Sequence, residues 1–572
     1  MAKRKVAEII VETLQAAGVK RCYGVVGDTL NHVTDAIRRS DIAWVHMRHE
    51  EAGAFAAGAE ALISGELTAC AGSCGPGSLH FINGLFESHR NRAPVVLIAS
   101  QVNSNELGID FPQSVDFRSI YQTCSVFCEQ INNPHEAKRL TTLAAQAALT
   151  KRGVSVLIVP GDISAIEVEV GPAYAVHVPR PVVRPSDSEL DAIAGILNDG
   201  GKIAVYAGVG CQGAHDQVVR LCETLKAPMA HTSRAKDFVE ADNPYNVGMT
   251  GIFGSKAGHH AVTECDTLVL LGCDFAWRQF YPHKARVIQI DLDPSHLGRR
   301  HPVDIGVVGD IAATLDALLP RLKTHDDRGF LDAKLHDHAE VEKDHRHQER
   351  AGKNGLIHPQ QLTRLIDAHA DDDAMFTADG GSPMVWLLRH IRANGRRRTL
   401  TSLLHGTMAN AMPQALGLKK AFPDRQVISL SGDGGLAMLL GDLLTTIQEE
   451  IPIKVVIYNN SSLDFVELEM KVEGLLDAYT DLKNPDFAKL AEVVGLAAWR
   501  VERNEDLEAA VVAFLAHPGP ALLDVKVNRV ELVMPPQVET AQVLGMALYS
   551  AKAVLSGRAA DVADLIKTNF LE

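Results

Sequence analysis

The stretch from Gln426 to Asn460, QVISLSGDGGLAMLLGDLLTTIQEEIPIKVVIYNN, decides the fold. Val427, Ile428 and Leu430 predict a strand, and Gly432-Asp433-Gly434-Gly435 breaks it sharply. A helical pattern follows through Met438, Leu439, Leu443 and Ile447. Ile453 to Tyr458 then reads as a second strand, ending in Asn459-Asn460. A strand–helix–strand crossover makes the two strands parallel and near neighbours. Asp433 and Asn460 therefore project from the carboxyl ends of strands in one sheet, the edge at which open α/β sheets bind ligands. One carboxylate, one amide oxygen and nearby backbone carbonyls make a hard oxygen site, which phosphate oxygens complete when Mg²⁺ is held. The glycines let the backbone approach such phosphates without a Cβ clash. Taken separately, a glycine turn and an Asn-rich turn without any ligand account for the same residues.

Working outward, Arg48-His49-Glu50-Glu51-Ala52-Gly53 ends one strand and opens an alanine-rich, closely packing helix. A carboxyl group in a mostly apolar pocket suits proton transfer, since desolvation favours its protonated form. Equally, both glutamates sit where any helix welcomes negative charge, in its first turn. Gly208-Val209-Gly210-Cys211-Gln212-Gly213 follows another strand and fits the dinucleotide pattern G-x-G-x-x-G. A nicotinamide site expects an acid about 20 residues on, whereas this chain has His231 and Arg234 there. An extended flavin dinucleotide fits better. Arg234 would meet its phosphates, Gly248-Met249-Thr250-Gly251 offers backbone donors, and Asp274-Phe275, Asp291, Asp293 and Gly309-Asp310 end or follow strands. A vestigial fold that holds no flavin is the other reading of these residues.

The chain as a whole agrees with a soluble protein of about three domains, its 572 residues exceeding one ordinary core. A formal charge of -15, from 56 Lys+Arg against 71 Asp+Glu, excludes general nucleic-acid binding. Nine cysteines without a C-x-x-C pair read as reduced thiols of a cytoplasmic protein. No apolar run approaches the roughly 20 residues of a membrane span. Alternating strand and helix patterns divide the chain into units at 1–180, 181–340 and 350–530, with a tail at 531–572. The proline-marked segment 178–190 reads as a linker, and the histidine-rich segment 336–350 as a solvated helix or linker.

These motifs together resemble the thiamine-diphosphate-dependent pyruvate oxidase family, and within it the quinone-dependent pyruvate dehydrogenases. The resemblance runs essentially end to end: residues 48–77, NPYNVGMTG (243–251), HGTMANAMPQALG (405–417), SGDGGLAMLLGD (431–442) and LIKTNFLE (565–572). The 24 residues between Gly434 and Asn459 match the spacing of its cofactor motif. The resemblance implies three doubly wound parallel-sheet α/β domains, binding pyrimidine, flavin and diphosphate in turn, plus a C-terminal helical tail. It implies thiamine diphosphate, Mg²⁺ and FAD as cofactors. Asp433, Asn460 and the carbonyl of Ser462 would ligate Mg²⁺; Gly381-Ser382-Pro383 and His405-Gly406-Thr407-Met408 would line thiamine diphosphate, with Met408 under its thiazolium ring. Glu50, rather than Glu51, would be the activating acid, and Gln113, Phe465 and Glu469 would face the substrate.

The implied reaction is oxidative decarboxylation of pyruvate to acetate and CO₂ through a thiamine-bound carbanion, electrons passing via FAD to a membrane quinone. The implied assembly is a homodimer at least, with a homotetramer expected, because the family shares its cofactor between subunits. Three departures bear on the substrate: Pro112-Gln113-Ser114 replaces Phe-Gln-Glu, Gly380 stands where valine is usual, and Asp464 replaces a glycine. An acetohydroxyacid-synthase-like carboligase with structural flavin, or an oxygen-using oxidase, is the alternative. Val543, Leu544, Ala547, Ala551, Val554 and Leu555 recur with helical spacing. The tail is thus either a peripheral contact on the cytoplasmic face of the cell membrane or a helix packed on its own subunit.

Overall fold

Short apolar strands alternating with amphipathic helices build three six-stranded sheets, and every strand pairing within them is parallel. The structure, a computed structural model, describes residues 3–171, 174–350, 355–531 and 540–571. In the first sheet the spatial order is Ala43–His46, Arg21–Gly24, Thr68–Gly72, Val95–Gln101, Val154–Pro160, Phe127–Gln130. The central sheet runs Asn246–Met249, Met229–His231, Ile203–Ala207, Thr267–Leu271, Arg286–Asp291, Ile305–Val308. The third runs Arg398–Thr401, Met375–Ala378, Val427–Gly432, Lys454–Asn459, Ala521–Lys526, Ala497–Val501. Inner strands such as VVLIASQ and KVVIYN are buried at every position, as a sheet covered by helices on both faces requires. The outer strand Phe127–Gln130 is only half-buried and carries Glu129 and Gln130, so its periodicity does not announce it.

The first and third sheets share one apolar core. Its centre is the helix Glu50–Ser64 (EEAGAFAAGAEALIS) crossing the helix Ala411–Ala421 (AMPQALGLKKA). A Cβ on Gly417 would lie 2.0 Å from the Ala56 carbonyl oxygen, so only glycine permits this approach. Gly65, at φ 72°, ends the first of these helices in a left-handed cap.

The histidine-rich segment is a helix, Gly329–Gln348, largely solvated as its charge suggests. His338 and His345, seven residues apart, share one face. Gly248 of the central sheet lies against the His338 imidazole, and the His345 ring stands 5.4 Å from that of His390 in the third domain. Among the described residues all nine cysteines are free thiols and no helix is long and apolar enough to cross a membrane. The tail forms the helices Thr540–Leu555 and Ala559–Ile566, the first packing on Asp464–Val472. Residues 532–539, the start of the tail expected at 531–572, lie outside the described residues.

The buried His390 and the half-buried His338 and His345 make stability pH-dependent. Burial, then the neighbouring charges of His390 and Arg389, push His345 down to about 3. Burial also lowers His338 and His390. Unfolded, each takes up a proton near the ordinary histidine value of ~6.5. The unfolded state therefore binds more protons than the folded state between that value and the depressed one, and stability falls as pH drops through this window. We expect urea midpoints to decline between about pH 7 and pH 5, by up to ~1.4 kcal/mol per pH unit for each histidine. His345→Leu should flatten that slope, and an unchanged slope would refute the assignment.

Candidate active site

Strands Val427–Gly432 and Lys454–Asn459 pair directly, Gly432 opposite Tyr458, which brings Asp433 beside the Asn459-Asn460 end. The Asp433 Oδ2 atom accepts from the Ser461 amide (2.7 Å) and from Asn484 Nδ2 (2.7 Å). Ser461 holds φ 59°, a left-handed turn that reverses the chain toward Asp433. Asn460 Oδ1 accepts from the Ser462 amide at 2.9 Å. Below this turn Lys526 Nζ donates to Asn459 Oδ1 (2.8 Å), and Asn459 Nδ2 donates to Asp524 (2.7 Å). Ser462 is anchored by its hydroxyl, which donates to Glu467 (2.5 Å), itself paired with Lys471 and Arg529. Burial raises the Asp433 carboxyl, although three hydrogen-bond donors and Lys526 oppose the rise.

The glycines of this loop have separate reasons to be glycine. A Cβ on Gly435 would lie 2.3 Å from Asp379 Oδ2, and one on Gly434 would press Leu463 and Met408. Asp379 is a residue that pattern reading missed. Its carboxylate, 2% exposed and raised to about 7 by burial, accepts the amides of Ala411 (2.9 Å) and Gly432 (3.2 Å). It thereby joins the metal loop to the segment carrying Met408. Gly380, where the family carries valine, touches the Thr407 carbonyl; a Cβ there would stand 2.4 Å from it.

In the first domain, His49 is extended and its Nδ1 caps the helix by accepting the Glu51 amide (3.2 Å). Glu50 is 9% exposed, and its Oε2 pairs with His80 Nδ1 at 3.0 Å. The His49 and His80 rings stack, centroids 4.8 Å apart. A Cβ on Gly77 would come within 3.4 Å of Glu50 Oε1, so the Gly75-Pro76-Gly77 loop leaves that oxygen room.

Asn83 joins the two domains. Its amide nitrogen donates to Glu51 (2.7 Å) and Thr407 Oγ1 (3.0 Å), and its Oδ1 meets His405 Nε2 (2.8 Å). Glu51, His405, Thr407, Met408, Gly434 and Asp433 are thus linked through one run of contacts within a single chain, with Glu50 adjoining it in sequence. His80, Asn83, Asp379 and Asn484 completed it unannounced, because each lies in a helix or turn whose pattern has ordinary explanations.

The three residues expected at the substrate are more dispersed. Gln113 is exposed at φ 67° and accepts from the Cys74 thiol (3.2 Å). Phe465 packs on Phe253 of the central domain, ring centroids 6.3 Å apart. Glu469 is exposed, and burial by its neighbours and then Glu473 raise its carboxyl. Between the last two sequence neighbours of Ser462, Asp464 accepts the Ser382 hydroxyl (3.1 Å) and is pushed up to about 6 by burial.

The central domain divides its candidates. Gly208 and Gly210 lie against Gly272, with Cβ clashes of 2.1 and 2.7 Å, so strand-end packing alone demands glycine at both. Asp274 is engaged by Arg299 and Arg300, Asp291 by His296, and Asp293 caps Ser295 while pairing with Arg92. Asp310 caps the helix Ile311–Leu318, and Gly309 makes room for Thr314. Gly251 (φ 106°) lies under the Phe275 ring, Met249 accepts from Ser233, and the buried Thr250 hydroxyl has no partner. Arg234 is the group with charge to spare. Burial, then the charge of Arg92, lower it to about 10 against the opposing charge of Glu87, and among the described residues no carboxylate forms an ion pair with it. Arg152, which sequence reading passed over, adds a further nearby cation.

The residues fit the groups expected of them. The donor set at Asp433, Asn460 and Ser462 is all hard oxygen beside a buried carboxylate, the environment a Mg²⁺ ion with phosphate ligands satisfies. An arginine without an ion pair, Arg234, and a hydroxyl with no partner among the described residues, on Thr250, whose amide bonds the His231 carbonyl, suit the phosphates of a flavin dinucleotide.

Three family models cover most of the chain. The thiamine pyrophosphate enzyme N-terminal TPP binding domain matches residues 4–120, the central domain 190–318 and the C-terminal TPP binding domain 379–525. A thiamine pyrophosphate-containing protein of Bacillus subtilis is 32% identical over 99% of both chains. The pyruvate oxidase of Lactiplantibacillus plantarum is 28% identical over 90% of this chain and 87% of its own. The acetolactate synthase isozyme 2 large subunit of Escherichia coli is 30% identical over 92% and 96%. With each of its three sheets overlapping one of the three matched regions, this chain belongs to the thiamine pyrophosphate enzyme family.

Proposed function

We propose that the protein oxidatively decarboxylates pyruvate, or a close 2-oxo acid, with a membrane quinone as electron acceptor. Pyruvate, water and quinone would give acetate, CO₂ and quinol, which balances atoms and electrons. The observation that carries this reading is the run of contacts from Glu51, next to Glu50, through Asn83, Thr407 and Met408 to the Asp433 loop, together with a central-domain arginine, Arg234, that forms no ion pair among the described residues.

Each residue then has a task. Asp433, Asn460 and the Ser462 carbonyl would hold Mg²⁺, with Gly432, Gly434 and Gly435 admitting the diphosphate. Gly381, Ser382, Pro383 and the 405–408 segment would line the cofactor. Glu50, fixed by His80, would hold the proton at the ring nitrogen of the pyrimidine. Arg234, Met249, Thr250 and Gly251 would hold FAD. Gln113, Phe465 and Glu469 would border the substrate. Thiamine diphosphate supplies the carbon nucleophile and electron sink for decarboxylation, and FAD the two-electron acceptor.

The quinone belongs to this proposal through the tail. Its first helix covers the helix that carries Phe465 and Glu469, held by Lys552 on the Gly474 carbonyl (2.8 Å) and Arg558 on Asp477 (2.8 Å). Tyr549 is buried in this contact while Val543, Leu544 and Leu555 are exposed, so one apolar face is spent and another is free for lipid.

The similarity to acetolactate synthase favours a second reading, a carboligase in which flavin only supports the fold. Anaerobic addition of pyruvate to the protein loaded with thiamine diphosphate, Mg²⁺ and FAD separates the two. Rapid loss of oxidised-flavin absorbance is expected; acetolactate formed while the flavin stays oxidised would replace the proposal with the ligase. Glu50→Gln should lower turnover at least ~10²-fold with cofactor still bound, and a near-normal rate would remove Glu50 from its role. Deleting residues 550–572 should abolish any rise in quinone reduction on adding anionic vesicles; a truncated chain still activated by lipid would rule out the tail.

A further inference from the structure

The strand Ala43–His46 is the outer edge of the first sheet, and it runs directly into Glu50. An edge strand exposes unpaired N–H groups, and successive ones on one side are two residues apart. Here both are taken by carboxylates of the third domain. The His46 amide donates to Glu449 Oε1 (3.0 Å), and the Arg48 amide donates to Asp442 Oδ1 (2.9 Å). Asp442 ends the short turn Leu440–Asp442, nine residues after Asp433, and its Oδ1 also accepts the Thr445 hydroxyl (2.8 Å). It is 1% exposed; among the described residues its second oxygen, Oδ2, makes no hydrogen bond of good geometry, and the Arg48 and His49 amides both oppose the rise that burial imposes on the carboxyl.

A buried carboxylate with a poorly satisfied oxygen costs stability, so a fold keeps it only where its position matters. Apolar packing alone would close this junction, as it does at Gly417. What the carboxylate adds is direction: it pins the backbone of Arg48 two residues before Glu50. The His49 ring then caps the helix and stacks on His80, which in turn meets the Glu50 carboxyl.

We propose that Asp442 is a positioning residue for Glu50, fixing the acid of the first domain to the turn that follows the metal loop of the third. The proposal rests on the function proposed above, since it gives Glu50 a proton to deliver. Misdirecting that carboxyl by a fraction of an ångström would slow proton transfer while leaving cofactor affinity nearly intact.

The test uses the full chain and two readouts. The first is deuterium exchange at the reactive ring carbon of bound thiamine diphosphate, followed by NMR after acid quench. Asp442→Ala should slow it at least ~10-fold, and Asp442→Asn, which keeps an acceptor oxygen without the charge, by only about threefold. In a Glu50→Gln background Asp442→Ala should add nothing, because a positioning residue acts only through the group it positions. A wild-type rate in Asp442→Ala, or an equal slowing in both backgrounds, overturns the proposal. The second readout is backbone amide exchange of residues 43–50 in the cofactor-free protein, which Asp442→Ala should accelerate at Arg48. Should Asp442→Ala not fold, Asp442→Asn carries both measurements, and unchanged rates in both overturn the proposal. If the wild-type chain binds no thiamine diphosphate, the proposed function fails, while accelerated amide exchange would still support the Asp442 contact and unchanged exchange would overturn it.

Discussion

The close crossing of the helices Glu50–Ser64 and Ala411–Ala421 is the constraint on which the candidate site depends. Their approach is limited by the Ala56 carbonyl against Gly417, and the alanines along EEAGAFAAGAEALIS keep the interface thin. Because the two helices begin at Glu50 and just after Met408, packing them side by side places the acid of one domain near the cofactor-lining segment of the other. Bulk added at this crossing would separate the chemistry as well as the core, since packed interiors transmit strain and do not absorb it.

Around that crossing the protein uses buried carboxylates as fasteners. Asp379 joins the metal loop to the Met408 segment, Asp442 and Glu449 join the third domain to the edge of the first sheet, and Asp237 holds the Thr399 amide and hydroxyl across the central junction. Each accepts backbone N–H groups, the arrangement that tolerates burial of a charge. A carboxylate on a main-chain amide fixes backbone, whereas apolar contact fixes only proximity. The site is correspondingly built from turns whose neighbours lie hundreds of residues away.

The domain pattern was legible in sequence because strand and helix periods are local. The outer strand Phe127–Gln130 cannot be read in this way, because it buries neither face fully. The Asp433 to Asn460 crossover could be read because two strands joined by a helical connection have few ways to arrange themselves, although that connection is broken into the helices Asp433–Met438 and Leu443–Gln448. His80, Asn83, Asp379, Asn484 and Arg152 could not, since nothing in their immediate neighbours marks them. The histidine-rich segment is the solvated helix its charge suggests, but the half-buried His338 and His345 fall on one face against the central and third domains, which charge alone does not reveal.

By itself the sequence determined the three α/β units, the crossover that brings Asp433 beside Asn460, the acid-opened helix at Glu50 and the family resemblance, all of which rest on spacing within a few tens of residues. Only the tertiary structure decided that the Gly208 and Gly210 pair is required by packing, that Asp274, Asp291, Asp293 and Asp310 are engaged inside the fold, and that Arg234 forms no ion pair among the described residues. The reason is physical. Propensity and periodicity act along the chain, but whether a charged group is compensated depends on partners that folding brings from elsewhere.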